Sequence, residues 1–209
     1  QYYRLEEGEI AAVSPASITI APASGASFSP VYQKVTWSVD AAEKEGFPHF
    51  MLKEIHEEPR AVRDTLSSVL SSDIEAFFAE NEFETINIVA CGTAMHAGLI
   101  GKFMTEKLAR IPVNVYIASE FRYQDPILGS RDLVILISQS GETADTVAAL
   151  RLAKARGART LAVVNVIGST VAREADRILL TLAGPEISVA STKAYSSQIT
   201  VMYVLSVKL

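Results

Sequence analysis

Cysteine is nearly absent. With Cys91 alone in 209 residues, no disulfide framework can form within the chain, and a reducing, cytoplasmic setting is expected. Histidine is also scarce. His49, His56 and His96 stand at spacings unrelated to Cys91, which argues against a structural zinc site, so no metal is expected. Clusters of basic residues are missing, and the formal net charge is −5. Phosphate backbones are held by clustered Lys and Arg, so no nucleic-acid partner is expected. Long apolar runs are missing too. The most apolar stretch, Ile199 to Leu205, falls far short of the roughly 20 residues that cross a bilayer, so no membrane partner is expected. The N-terminus carries no charged-then-apolar signal pattern. It opens on Gln1 rather than Met, as expected for a piece of a longer protein.

What is present is a large apolar fraction, 49% of the chain, ample for one buried core and an appendage. Ile10 to Val13, Ser17 to Ile20 and Lys34 to Trp37 read as short strands around a Pro-, Ser- and Gly-rich stretch. Three such strands are too few and too polar to stand alone. Helical signals begin near Ala41. Phe50, Met51, Ile55, Val62, Leu66 and Leu70 recur every three to four residues, and Pro59 is expected to divide them into two helices. Ser72-Asp73 can cap a further short helix carrying Ile74, Phe77 and Phe78.

From Thr85 a strand–turn–helix unit repeats. Strands are expected at Ile86 to Ala90, Val113 to Ile117, Leu133 to Ile137, Leu161 to Val166 and Ile178 to Leu182. Helices are expected at Ala94 to Ala109, Glu120 to Gln124, Glu142 to Arg156, Ser169 to Ala175 and from near Ser191 onward. Continuous apolar strands are buried on both faces. The expected fold is α/β: a three-layer sandwich around a five-stranded parallel, doubly wound sheet, with an N-terminal helical extension. Ligands of such sheets sit beyond the carboxyl ends of the strands, where strand order reverses.

The strongest motif lies at such a turn. In Ser138-Gln139-Ser140-Gly141-Glu142-Thr143, the hydroxyls of Ser138, Ser140 and Thr143 can donate to phosphate oxygens. Gly141 allows close backbone approach, and the following helix start favours an anion. The alternative is an ordinary helix start with Ser140 as N-cap and Glu142 as a first-turn acid. A second turn, Cys91-Gly92-Thr93-Ala94, offers the Thr93 hydroxyl or is one more capped turn. Gly92 and Gly98 do not form G-x-G-x-x-G, so no dinucleotide cofactor is expected. A third turn runs from Glu186 to Lys193. Ser191 or Thr192 is expected to cap the last helix, and Lys193 reads as a solvated charge. His96 reads as a packing or surface residue, and Glu142 as a weak base at best, so no catalytic residue is expected. Apolar Ile199, Val201, Met202, Val204 and Leu205 on the last helix are expected to leave an exposed face and to favour a homodimer.

Taken together, Cys91 to Thr93, Ala-Ser-Glu-Phe-Arg-Tyr (Ala118 to Tyr123), Ser138 to Thr146 and Val-Ala-Ser-Thr-Lys-Ala-Tyr (Val189 to Tyr195) resemble the sugar isomerase (SIS) half of the glutamine–fructose-6-phosphate aminotransferases. That family also goes by the name glucosamine-6-phosphate synthases. The resemblance implies that residues 1–34 close a glutaminase domain and linker, that 35–75 lead into the isomerase half, and that 76–209 form a first SIS domain. It implies a sugar phosphate as ligand, with Ser138, Gln139, Ser140 and Thr143 on the phosphate, Thr93 nearby, and Val189 and Ser191 toward the sugar. The family's glutaminase nucleophile and isomerase base match no position here, so this stretch is expected to bind rather than turn over substrate. Ala94 stands where relatives often carry Ser, and Ser188 where they usually carry Gly. A phosphosugar-sensing regulator, a nucleotide-binding fold and a single-SIS isomerase are the rival readings. A regulator would add a helix-turn-helix, which the first seventy residues lack.

Overall fold

A computed structural model describes residues 3, 5–26, 28–32 and 43–209. Two compact units are formed, residues 1–43 and 44–209.

In the first unit, β1 (Glu9–Val13) and β2 (Ile18–Pro22) pair antiparallel, with Ala11 opposite Ile20. Ser14 closes the hairpin turn, its Oγ accepting from Ser17 N at 3.0 Å. The strand expected at Lys34 to Trp37 lies outside the described residues.

The second unit opens with α1 (Phe50–Leu70) and α2 (Ile74–Ala79). Pro59 lies inside α1 and does not divide it. Proline deletes one backbone donor and costs about 3 kcal/mol in a helix interior. The buried residues Lys53, Glu54, Ala61, Thr65 and Val69 lie on both sides of it, so tertiary packing holds the two halves as one helix. Single-helix propensity is routinely overridden in this way.

Then the repeating units follow: β3 (Thr85–Ala90), α3 (Gly92–Leu108), β4 (Val113–Ile117), α4 (Ala118–Phe121), β5 (Asp132–Ser138), α5 (Ala144–Ala155), β6 (Arg159–Val164), α6 (Thr170–Glu174), β7 (Arg177–Leu180) and α7 (Lys193–Lys208). The sheet is parallel throughout, in the order β4-β3-β5-β6-β7. Strand order therefore reverses between β3 and β5, as the doubly wound pattern requires.

Residues of β5 alternate between two cores, because successive side chains on a strand point to opposite faces. Leu133, Ile135 and Ile137 pack with Val69 of α1, Phe77 of α2, Ala94 of α3 and Val201 and Leu205 of α7. Val134 and Leu136 pack with Phe121 of α4, Leu150 and Ala153 of α5 and Val171 of α6. Burying each such aliphatic side chain contributes about 1.5–3 kcal/mol. The result is the expected three-layer α/β sandwich.

The last helix corrects one expectation. Val201, Met202, Val204 and Leu205 are buried rather than exposed, because α7 is sandwiched by α1 and α3 against the sheet. Its exposed apolar residues are instead Tyr203 and Val207.

Candidate functional site

The carboxyl end of β5 runs directly into the 138–143 turn. Ser138 Oγ accepts from Gly141 N at 3.0 Å, and Ser140 Oγ accepts from Glu142 N at 3.2 Å. A hydroxyl that accepts a backbone proton still holds its own proton to donate. Ser140 is thus left as a donor, and Ser138 and Thr143 share one hydrogen bond in which either hydroxyl can donate, leaving the other's proton for a ligand. The Ser138 and Thr143 hydroxyl oxygens lie 3.4 Å apart, so they converge on one point.

Thr143, not Ser140, occupies the N-cap of α5, with φ −61° and ψ 118°. The first bond into the helix runs from Val147 N to Thr143 O at 3.0 Å. The amides before it are those a helix start leaves without helical partners, and they add donors to the same turn.

Gly141 has φ +65°, a left-handed conformation that side chains disfavour. A Cβ there would meet Ser169 Oγ at 2.1 Å. The turn is also pinned from the β6–α6 connection and α6. Gln139 O accepts from Asn165 N, and Gly141 O accepts from Val171 N, both at 3.1 Å. Glu142 reaches away to α6, accepting from Thr170 N at 2.8 Å and Thr170 Oγ1 at 2.7 Å.

Cys91 is the extended N-cap of α3, and Thr93 is exposed in that helix's first turn. His96 is exposed farther along the same helix. The third turn, between β7 and α7, is capped by a residue that sequence reasoning passed over. Glu186 Oε1 accepts from Thr192 N at 2.9 Å and Ala194 N at 3.1 Å, and Ser191 Oγ donates to Glu186 Oε2 at 3.0 Å. Thr192 holds the N-cap position, but its side chain makes no capping bond. Neither expected hydroxyl caps α7, because the longer Glu186 side chain already fills that role. Its spacing from the helix start fits no standard capping box, so no local signal announced it.

Lys193 also departs from expectation. It is 2% exposed and paired with Glu57 of α1 rather than solvated. Burying an ammonium requires such a partner.

All seven residues expected at the site line one cleft of about 290 Å³: Thr93, Ser138, Gln139, Ser140, Thr143, Val189 and Ser191. It opens where β3 and β5 part. Ala94 and Ser188, the two departures from the resembled pattern, also line it, as do Thr146, Glu186 and Gln198. Thr146 lies three residues beyond Thr143 on the same helix face, a spacing that could have revealed it. Gln198 gave no such signal. Thr146 Oγ1 and Gln198 Oε1 are buried without a hydrogen-bond partner among the described residues. Val189 projects fully into solvent at the rim. Glu186 is the one charged residue of the lining, and its oxygens are already engaged by two amides and a hydroxyl. The cleft can therefore offer many neutral donors to an anion. No group of His, Cys, Asp and Glu among the described residues is arranged to hold a metal ion. No described helix is long and apolar enough to cross a membrane.

A family model for the SIS domain matches residues 81–208. The chain is 53% identical over 212 residues to a glutamine–fructose-6-phosphate aminotransferase (isomerizing) of Clostridium tetani, an alignment covering 98% of this chain and 35% of that protein. To its namesake in Clostridium acetobutylicum it is 51% identical over 211 residues, covering 97% and 35%. Among solved structures, the C-terminal domain of glucosamine-fructose-6-phosphate aminotransferase from Francisella tularensis superposes with a TM-score of 0.74 at 41% identity, covering 79% of this chain and 49% of that one. The chain spans about a third of the length of the curated relatives it matches.

Proposed function

This chain belongs to the SIS-domain family, and from that premise we propose that it is the sugar-phosphate-binding part of an enzyme that converts fructose 6-phosphate and glutamine to glucosamine 6-phosphate and glutamate. One observation carries the reading. Hydroxyls from Ser138 and Thr143 converge 3.4 Å apart at a helix start, inside a cleft at the reversal point of the sheet. That is where open α/β sheets take ligands, and helix starts favour phosphate.

In this reading Ser138, Gln139, Ser140 and Thr143 hold the phosphate, with Thr93 beside it. Val189 and Ser191 meet the sugar. Ser191 gives its proton to Glu186, so it offers lone pairs and accepts from a sugar hydroxyl. We assign binding, not proton transfer, to the cleft. Moving a proton between adjacent sugar carbons needs a base that can accept it, and Glu186 is committed to three donors. Residues 1–34 are read as the close of a glutaminase domain and a linker. A cytoplasmic homodimer completes the proposal, supported by the apolar side chains of Phe103 in α3 and Tyr203 and Val207 in α7 that are left exposed.

The test is calorimetric titration of the chain with fructose 6-phosphate, glucose 6-phosphate and inorganic phosphate. Binding of all three, weakened together about tenfold in Ser138→Ala, is the expected result. Saturable binding that survives both Ser138→Ala and Thr143→Ala unchanged would sink the reading. Turnover of fructose 6-phosphate by this chain alone would overturn the assignment of binding without proton transfer.

A further inference from the structure

Helix α1 lies before the residues matched by the SIS model, yet it holds the wall of the cleft formed by the 181–192 segment. Three carboxylates in little more than one turn reach this segment and the start of α7 that follows it. Glu54 Oε1 accepts from Ile187 N at 2.6 Å and from Ser188 N at 3.2 Å. Glu57 pairs with the buried Lys193 at the start of α7, and Glu58 accepts from Ser196 Oγ at 3.0 Å. Farther along α1, Thr65 donates to the Thr181 carbonyl at the other end of the segment. The beginning and middle of that wall, and the helix start that follows it, are thus tied to one helix.

Glu54 is the unusual member. It is 2% exposed, and its Oε2 is buried without a hydrogen-bond partner among the described residues. A half-satisfied buried carboxylate is costly, and a packed apolar side chain of similar size is often as stable or more so. What Glu54 does provide is an acceptor for two consecutive amides, immediately before Val189 and beside Ser188 of the cleft lining. The hydrogen bonds of the 138–143 turn, by contrast, come from its own serines and from the β6–α6 region.

We infer that Glu54 is a positioning residue for sugar recognition: it fixes the backbone at Ile187 and Ser188 so that Val189 and Ser191 meet the sugar, while phosphate capture proceeds without it. This rests on the phosphosugar reading above.

The experiment compares fructose 6-phosphate with inorganic phosphate by calorimetry in the intact protein and in E54L, E54D and E54Q, with amide hydrogen exchange read at Ile187 and Ser188. Leucine offers no acceptor, aspartate keeps the charge but shortens the reach, and glutamine keeps an acceptor oxygen in place. E54L and E54D are expected to weaken fructose 6-phosphate about tenfold and to leave inorganic phosphate at the wild-type affinity. Exchange at the two amides speeds up in both, and E54Q stays close to wild type in every readout. E54D keeps the question answerable if E54L does not fold. Equal losses for both ligands, no loss for either, or E54Q behaving like E54L overturns the positioning role alone, provided that the wild type binds fructose 6-phosphate. A wild type that binds neither ligand overturns the phosphosugar reading, and the positioning role with it.

Discussion

In the turn from Ser138 to Thr143 the serine hydroxyls accept from amides two or three residues away, and Glu142 and two carbonyls of the turn accept from the neighbouring β6–α6 region. The wall between β7 and α7 takes some of its hydrogen bonds from its own Glu186 and others from Glu54, which lies 133 residues before Ile187. Both line the same cleft. A turn held by its own serines and by the adjoining strand–helix connection takes its shape once β5 and β6 pair. A wall wired from a distant helix keeps its shape only once that helix has docked. On the proposed reading, ligand recognition divides into a phosphate end held from nearby in the chain and a sugar end held in part by a distant helix.

Substitutions can break this contrast, and the most disruptive is expected at Gly141. Gly141→Ala combines a disfavoured φ with a clash against Ser169, the buried N-cap of α6, and should cost about 3 kcal/mol or more. Gly92→Ala is its control. Gly92 has φ +56° but nothing within 4 Å of an added Cβ, so only backbone strain of about 1–2 kcal/mol remains. Chemical denaturation of the two variants measures the difference. Equal losses would mean that close approach at Gly141 contributes nothing.

Next come the phosphate hydroxyls. Ser138→Ala and Thr143→Ala should each weaken inorganic phosphate about tenfold, the loss of one hydrogen bond to a charged group. Ser138→Ala also removes the acceptor for Gly141 N and should be the worse of the two. Calorimetry checks the order.

A smaller effect is expected from Glu186→Ala. The capping acceptor for two α7 amides disappears, costing about 1 kcal/mol of stability. Ser191 is also released to turn its proton toward the cleft. Fructose 6-phosphate affinity should fall while phosphate affinity holds, which thermal melts and titration can separate.

The smallest change is expected at the amino ends of β6 and β7, away from the cleft. Burial works to raise the Asp176 carboxyl, but hydrogen bonds from Thr160 and Lys154 outweigh it and hold the group below its usual range. A lowered folded value means stability that is present above the ordinary carboxylate pKa and lost as pH falls through the folded one. Asp176→Asn should thus be less stable than wild type near neutrality, and the gap should close below about pH 4. Denaturation at several pH values tests it. A gap that widens in acid would reverse the assignment. Neither ligand's relative affinity should move.

Most of the architecture could be read before any coordinates. The parallel strands declared themselves as apolar runs, since both faces of Leu133 to Ile137 are buried. All seven expected site residues line the cleft, because each sits on or next to a strand-to-helix turn. The errors share a different cause. Pro59 reads as a break because its missing donor is a local fact, whereas the packing that keeps α1 whole is not. Lys193 reads as solvated because Glu57, its partner, is far away in sequence. Glu186 is missed because it caps from six to eight residues away, through a bend that no spacing rule describes.

From sequence alone came the strand–turn–helix period, the parallel sheet and the hydroxyl-rich turn after β5, because periodicity, burial of apolar runs and helix-start chemistry act over a few residues. Only the tertiary structure decided how the last turn is held. Glu54 meets that turn, and Glu57 and Glu58 the first turn of α7, through folding of α1 against α7, and contacts between residues more than a hundred positions apart leave no trace in local composition.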